Sequence, residues 1–276
     1  MKTIQFPDGT AVPALGQGTW MMGEEAVRRA DEIAALQAGL DLGLTLIDTA
    51  EMYADGEAER VVGEAIAHRR DEVFLVSKAY PQNASRARLR QACEASCKRL
   101  RTDRLDLYLL HWRGSVPLAE TVEAMEALVA AGLIARWGVS NLDTDDMSEL
   151  QSAGGRACMT DQILYNLIRR GPEFDLIPWL GQRAIPVMAY SPVEQGRLLG
   201  HRALAQIAAE HGASPAQVAL AWLLQQPGIL AIPKSSSLAH VRDNRAALDL
   251  NLAADDIALL DRSFPKPTKR RPLEML

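Results

Sequence analysis

The chain has 276 residues, 48% of them hydrophobic, and a net charge of −5. That is enough apolar material for one large core, and the length suits a single α/β barrel or two smaller domains. Charge is mixed, with Lys269-Arg270-Arg271 the only dense basic cluster, so no nucleic-acid partner is expected.

From the N-terminus, MKTIQFPDGT lacks a charged-then-apolar signal architecture, and no apolar run is long enough to span a bilayer, so no membrane partner is expected. TIQFPDGTAVP reads as two short strands around a Pro-Asp-Gly turn. The chain then alternates. ALGQGT is a strand, and 24–42 carries apolar residues at helical spacing that stop near Gly43. TLID precedes a helix at 57–69, EVFLVSK one at 84–100, and LDLYLLH one at 117–131. LIARWGVSN leads into 143–152, and CMTDQ leads through a loop into 173–183. IPVMAY is followed by helices at 201–212 and 214–226, the second opening on Ser214 as N-cap with Pro215 at the first helical position. GILAIPKS is the last strand, with helices near 238–247 and 255–263. Cys93, Cys97 and Cys158 include no CxxC pair. The first two are four apart, as on adjacent turns of a helix, and the three read as buried reduced thiols of a cytoplasmic chain.

Linkers are short and no low-complexity tract marks a boundary. About eight strand–helix units predict one domain over 1–276, an α/β chain folded as a (β/α)8 TIM barrel with an N-terminal β-hairpin. The rival, an open doubly wound sheet, would usually carry a Gly-rich phosphate turn after its first strand. Gly16-Gln17-Gly18 is followed by Thr-Trp-Met-Met-Gly, so GxGxxG is not met.

The apolar runs keep ending on polar residues: TLI on Asp48, VFLVS on Lys78, LYLL on His111, ARWGV on Ser140-Asn141, PVMA on Tyr190-Ser191, LAIP on Lys234-Ser235. Carboxyl ends of barrel strands are where such a fold keeps its active site. A free tyrosine titrates near ~10 and is a poor acid at neutral pH. A lysine beside Tyr53 stabilises the phenolate and lowers that pKa, and a carboxylate beside the lysine holds its ammonium in place. Lys78 and Asp48 supply that pair, and a neutral His111 can orient a carbonyl oxygen. Any one of these alone is more often a solvated loop residue or a satisfied rim group. Together they make a proton donor aimed at a carbonyl.

GTW at 18–20, DTAEMY at 48–53, LVSK at 75–78, RLDLYLLHW at 104–112, GVSN at 138–141, AYSP at 189–192 and IPKS at 232–235 stand in the order and rough spacing of one family. The chain resembles an aldo-keto reductase from end to end. The resemblance implies Tyr53 as general acid, Lys78 and Asp48 as the pair tuning it, and His111 as the substrate-orienting residue. It implies NADPH, with NADH possible, held extended across the barrel mouth. Tyr190 would stack on the nicotinamide, and Ser140, Asn141 and Gln162 would hold its carboxamide. Lys234 and Ser235 would meet the adenosine 2′-phosphate, and Asp243 and Asn244 the adenine. Gly18, Thr19, Ser191 and Val193 complete the implied cofactor surface, and Trp20, Met52, Tyr80 and Trp112 the substrate pocket. His240 stands where the family commonly has an arginine on the 2′-phosphate, and a neutral imidazole offers less than a guanidinium fork. Loops and tail look trimmed, which implies an open, shallow pocket for small aldehydes. DTAEMY and HWRG look most like bacterial members that reduce methylglyoxal, and the chain is expected to act as a monomer without a metal. Two rival readings are a barrel aldolase with Lys78 as Schiff-base amine and a cofactor-sensing accessory protein that performs no chemistry.

Overall fold

The computed structural model describes residues 2–276. β1 (Thr3–Gln5) and β2 (Ala11–Pro13) pair antiparallel, Thr3 opposite Pro13, to give the expected hairpin. The repeating units follow. β3 (Gln17–Gly18) precedes α1 (Arg29–Asp41), β4 (Leu46–Asp48) precedes α2 (Glu57–Ala65), and β5 (Phe74–Ala79) precedes α3 (Leu89–Leu100). β6 (Leu107–Leu110) precedes α4 (Leu118–Ala130), β7 (Trp137–Ser140) precedes α5 (Thr144–Ser152), and β8 (Cys158–Leu164) precedes α6 (Leu176–Gly181). β9 (Val187–Tyr190) is followed by α7 (Arg202–His211) and α8 (Pro215–Gln225), and β10 (Ile229–Ala231) by α9 (Leu238–Ala246) and α10 (Ala254–Ser263).

β3 to β10 form one parallel sheet in sequence order. Its two edges meet. Leu15 bridges Ala231, Gly18 bridges Lys234, and the Gly18 N–H donates to Pro233 O at 3.0 Å. The sheet is therefore closed into the (β/α)8 barrel. Gly18 is explained by this seam, because a Cβ there would lie 2.6 Å from Ile232 O.

Strand side chains alternate between barrel interior and helical layer. Leu46, Val76, Leu107, Leu109, Met188, Leu230 and Ile232 point inward and pack with Phe6 and Val12 of the hairpin, which plugs the lower end. Ile47, Leu75, Tyr108, Val139 and Ile163 face outward against Leu36, Val61, Cys93, Leu128 and Trp222 of the helices. Two residues above the uppermost inward apolar position of each of these strands, the same row ends on a polar side chain: Asp48 above Leu46, Lys78 above Val76, His111 above Leu109, Tyr190 above Met188, Lys234 above Ile232. The period of two thus lifts chemistry to one rim while the core below stays apolar.

Several helices are shorter than their periodicity predicts. α1 begins at Arg29 rather than at 24, because Gly23 takes φ +79° and Ala26–Arg28 form a separate 3-10 turn. α2 stops at Ala65 and α3 starts only at Leu89. Within 173–183, a 3-10 turn at Gly171–Glu173 is followed by α6, capped by Asp175, with Pro178 tolerated in its first turn. The Ser214–Pro215 start of α8 is as expected, a capping box closed by Gln217. Cys93 and Cys97 sit on α3, and all three thiols are buried and free. Among the described residues, no helix is long and apolar enough to cross a membrane.

Candidate active site

One cavity of about 700 Å³ opens at the carboxyl ends of the strands. Beneath its floor, behind Tyr53, Lys78 is fully buried and uses all three ammonium protons. It donates to Asp48 Oδ2 at 2.7 Å, to Thr49 O at 2.9 Å and to Tyr53 Oη at 3.0 Å. Its ammonium also stands 4.7 Å from the Tyr53 ring centroid. Asp48 Oδ1 accepts from Gln162 Nε2 at 2.8 Å, so β8 braces the carboxylate from across the barrel. Thr19 Oγ1 donates to Asp48 O at 2.9 Å.

Tyr53 is placed by a turn rather than by a strand. Ala54, Asp55 and Gly56 follow it at φ +48°, +52° and +88°. Two of these are non-glycine residues in the left-handed region, each costing roughly 1–2 kcal/mol. Gly56 has a second reason, since a Cβ would meet the Arg99 side chain at 2.6 Å.

Burial pulls the Lys78 pKa down, yet the charges and hydrogen bonds of Asp48 and Tyr53 together outweigh it, and the ammonium holds its proton more tightly than an ordinary lysine. For Tyr53 the outcome differs from the sequence expectation. Burial raises its pKa more than the Lys78 charge lowers it, with Asp48 adding to the rise, so the phenol lies above its ordinary value. The phenol is protonated at neutral pH, and the lysine limits the rise rather than reversing it.

His111 is driven the other way, down to about 2, by burial and then by the Lys78 charge. Its imidazole is neutral across physiological pH. Nδ1 is buried without a partner, so the tautomer protonated on Nε2 leaves its N–H facing the cavity that His111 lines. The ring packs edge-on to Tyr53 with centroids 5.8 Å apart and lies 4.8 Å from Trp112. Between pH 6.5 and about 2 the unfolded chain therefore binds a proton at His111 that the folded chain does not. Its stability contribution is complete above pH 6.5 and falls on acidification, by up to about 1.4 kcal/mol per pH unit. Urea unfolding at pH 7 and pH 5 should show wild type losing about 2 kcal/mol more than His111→Gln. Equal losses would mean that His111 is protonated in the folded protein.

The opposite wall comes from β7, β8 and β9. Ser140 Oγ donates to Gln162 O at 2.8 Å and accepts from Asn141 Nδ2 at 3.0 Å. Asn141, at φ +58°, also donates to His111 O at 3.1 Å and accepts from Tyr190 Oη at 3.0 Å. The walls are thus joined twice, through Gln162–Asp48 and Asn141–His111. Ser191 and Val193 line the cavity on the loop after β9.

Of the residues singled out by sequence, Lys78, Tyr80 and Ser235 do not reach the cavity. Lys78 acts from behind Tyr53 and offers no free amine to a carbonyl, which disfavours an aldolase. Tyr80 does not line the pocket, because its ring stands edge-on behind Trp112 at 5.9 Å. Trp20, Met52 and Trp112 do line it. Ser235 turns its hydroxyl to Ser237 O at 3.1 Å while accepting the Ser237 N–H. Asp243 and Asn244 line the far end, but both Asp243 oxygens already accept from α8, from Ser214 Oγ and Gln217 Nε2, each at 2.7 Å. His240 lines the same end and is exposed.

Other residues carried no local signal. Met275 and Leu276 line the mouth, because the tail is pinned by Arg270 to Asp145 and Asp175, at 2.8 and 2.9 Å, and by Glu274 to Arg169 at 2.6 Å. A dozen residues after Phe264 therefore suffice to wall a cavity expected to be shallow. Arg28 is the second case: its Nη2 donates to Ser236 Oγ at 3.1 Å, next to Lys234, whose Nζ donates to the same oxygen at 3.3 Å. Lys234 is exposed as a residue, yet partial burial of its ammonium and then Arg28 lower its pKa, against a rise from Glu32 and Glu24.

The aldo/keto reductase family model matches residues 14–264. The chain is 55% identical over 281 residues to the methylglyoxal reductase YeaE of Escherichia coli (strain K12), covering 100% of this chain and 99% of that protein. It is also 55% identical to an aldo/keto reductase from Klebsiella pneumoniae crystallised with NADP and acetate, at a TM-score of 0.98, covering 100% of this chain and 99% of that one. A crystal structure of a Klebsiella pneumoniae aldo-keto reductase with NADPH matches at 0.97, with the same identity and coverage.

Proposed function

The chain belongs to the aldo/keto reductase family, and from that premise we propose that it reduces short aldehydes and ketones, methylglyoxal among them, to alcohols with NADPH. The observation that carries this reading is the Asp48–Lys78–Tyr53 chain of contacts, which opens on the same cavity as Lys234. The residues fit a phosphorylated dinucleotide: two cations converge on the Ser236 hydroxyl at one end, with only the exposed Glu25, 3.8 Å from Arg28, in ion-pair range among the described residues, and a protonated phenol stands at the other. Lys234 would hold the adenosine phosphate, Asn244 the adenine, Tyr190 the nicotinamide face, and Ser140, Asn141 and Gln162 its carboxamide. NADH would serve as the poorer donor.

When bound, the cofactor supplies a hydride to the carbonyl carbon. The chain's own residues handle the oxygen. The His111 Nε2–H and the Tyr53 O–H hold the carbonyl oxygen between them, and charge building on that oxygen meets two positioned donors. The Tyr53 proton passes to the oxygen, completing the alcohol. The phenolate left behind is stabilised by Lys78 at hydrogen-bond distance, and Asp48 keeps that lysine charged and fixed. Solvent then restores the phenol proton. Trp20, Met52 and Trp112, with Met275 and Leu276, give the substrate an apolar wall and no dedicated polar partner, which suits small and varied carbonyl compounds. We take residues 1–276 as one barrel domain acting as a monomer, and its three buried free thiols suit the reducing cytoplasm.

The test is loss of the reduced-nicotinamide absorbance band when methylglyoxal is added to protein and NADPH, with the hydroxycarbonyl product identified. Cofactor binding without turnover of any short aldehyde would refute the reading.

A further inference from the structure

Arg28 and Lys234 approach one another from opposite sides of the barrel seam. Both donate to Ser236 Oγ, at 3.1 and 3.3 Å. Like charges gathered on one neutral oxygen repel unless an anion joins them. Lys234 makes no ion pair within 4 Å among the described residues, and Arg28 has only the exposed Glu25 at 3.8 Å. Ser236 accepts from both cations, so its own proton is free to donate elsewhere. A third feature lies alongside. α9 starts just beyond, and its N-cap Ser237 makes no side-chain cap bond, so the first-turn N–H groups remain open.

We propose that Arg28, with Lys234, Ser236 and the open start of α9, forms a clasp for a phosphate monoester, the adenosine 2′-phosphate of NADPH, and that Arg28 sets the preference for NADPH over NADH. The assignment rests on the nicotinamide dinucleotide of the reading above. A monoester fits better than the central pyrophosphate, because Arg28 and Ser236 stand outside the cavity wall while Lys234 lines it. A group hanging from the end of an extended ligand reaches that place. A guanidinium presents paired donors matched to phosphate oxygens, so it supplies what the exposed His240 does not. Arg28 owes its position to the 3-10 turn ahead of α1.

The test is binding of NADPH and NADH, followed by nicotinamide fluorescence, to wild type, Arg28→Ala, Arg28→Lys and Ser236→Ala. Arg28 is exposed, and circular dichroism checks that the fold is kept. Arg28→Ala should raise the NADPH Kd roughly 10- to 100-fold, as expected for a charged hydrogen bond, and leave the NADH Kd within about twofold. Arg28→Lys and Ser236→Ala should lose less. An unchanged NADPH Kd in Arg28→Ala, or equal weakening of both cofactors, overturns the clasp. Wild type that binds both cofactors equally also overturns it, even if aldehydes are reduced. Selective loss of NADPH binding in a protein that reduces no aldehyde would support the clasp and refute the proposed activity.

Discussion

Lys78→Met is expected to remove carbonyl reduction and to weaken the fold at the same time. The substitution takes the cation from a carboxylate that is 2% exposed, and removing one partner of a buried pair costs about 3–5 kcal/mol. It also strands Thr49 O, which accepts from the ammonium at 2.9 Å. Part of the loss is recovered if Asp48 takes up a proton, a step that burial already favours. Turnover should fall by about 10²–10⁴, the range for losing general acid catalysis. Adding Asp48→Asn to Lys78→Met should restore part of the stability in urea unfolding and none of the activity. That split separates the electrostatic task of the lysine from its structural one. Turnover by Lys78→Met within about tenfold of wild type would show that proton delivery does not need the ammonium.

Tyr53→Phe is the cleaner variant. The hydroxyl makes one protein contact, with Lys78 at 3.0 Å, so the stability cost should stay near the ~1 kcal/mol of a single hydrogen bond. The ring keeps its edge packing on His111 and its place 4.7 Å from the ammonium. NADPH affinity should be unchanged, because the phosphate-binding end belongs to other strands. Only the proton is missing, and kcat should drop about 10²–10⁴. A fall in affinity instead of kcat would mean that Tyr53 holds ligand rather than reacts.

The barrel was legible in the chain because its rhythm is simple. Apolar runs bounded by helical periodicity recur about eight times, and the strand period places Asp48, Lys78, His111, Tyr190 and Lys234 on one rim. The short motifs carried the resemblance for the same reason, since each sits at a strand end. Local backbone was harder to read. The glutamate-rich stretch 24–28 has helical composition, but Gly23 and the following 3-10 turn delay α1, and that delay moves Arg28 to the seam. The tail carried no signal at all. Its course depends on Arg270 and Glu274 finding partners on α5, α6 and the loop after β8. Charge balance was likewise invisible. Lys78 next to Tyr53 implied a lowered phenol pKa, and the depth of the site, with the Asp48 charge adding to it, reverses the direction.

The claim at the centre of this account is that Tyr53 delivers the proton while hydride comes from the cofactor in the same cavity. The most direct measurement is single-turnover oxidation of preloaded NADPH after mixing with saturating methylglyoxal, in wild type and Tyr53→Phe. The account predicts rapid decay of the reduced-nicotinamide band in wild type. In Tyr53→Phe the decay should be at least about 100-fold slower, from the same initial bound fraction. Decay at the wild-type rate in Tyr53→Phe would contradict it.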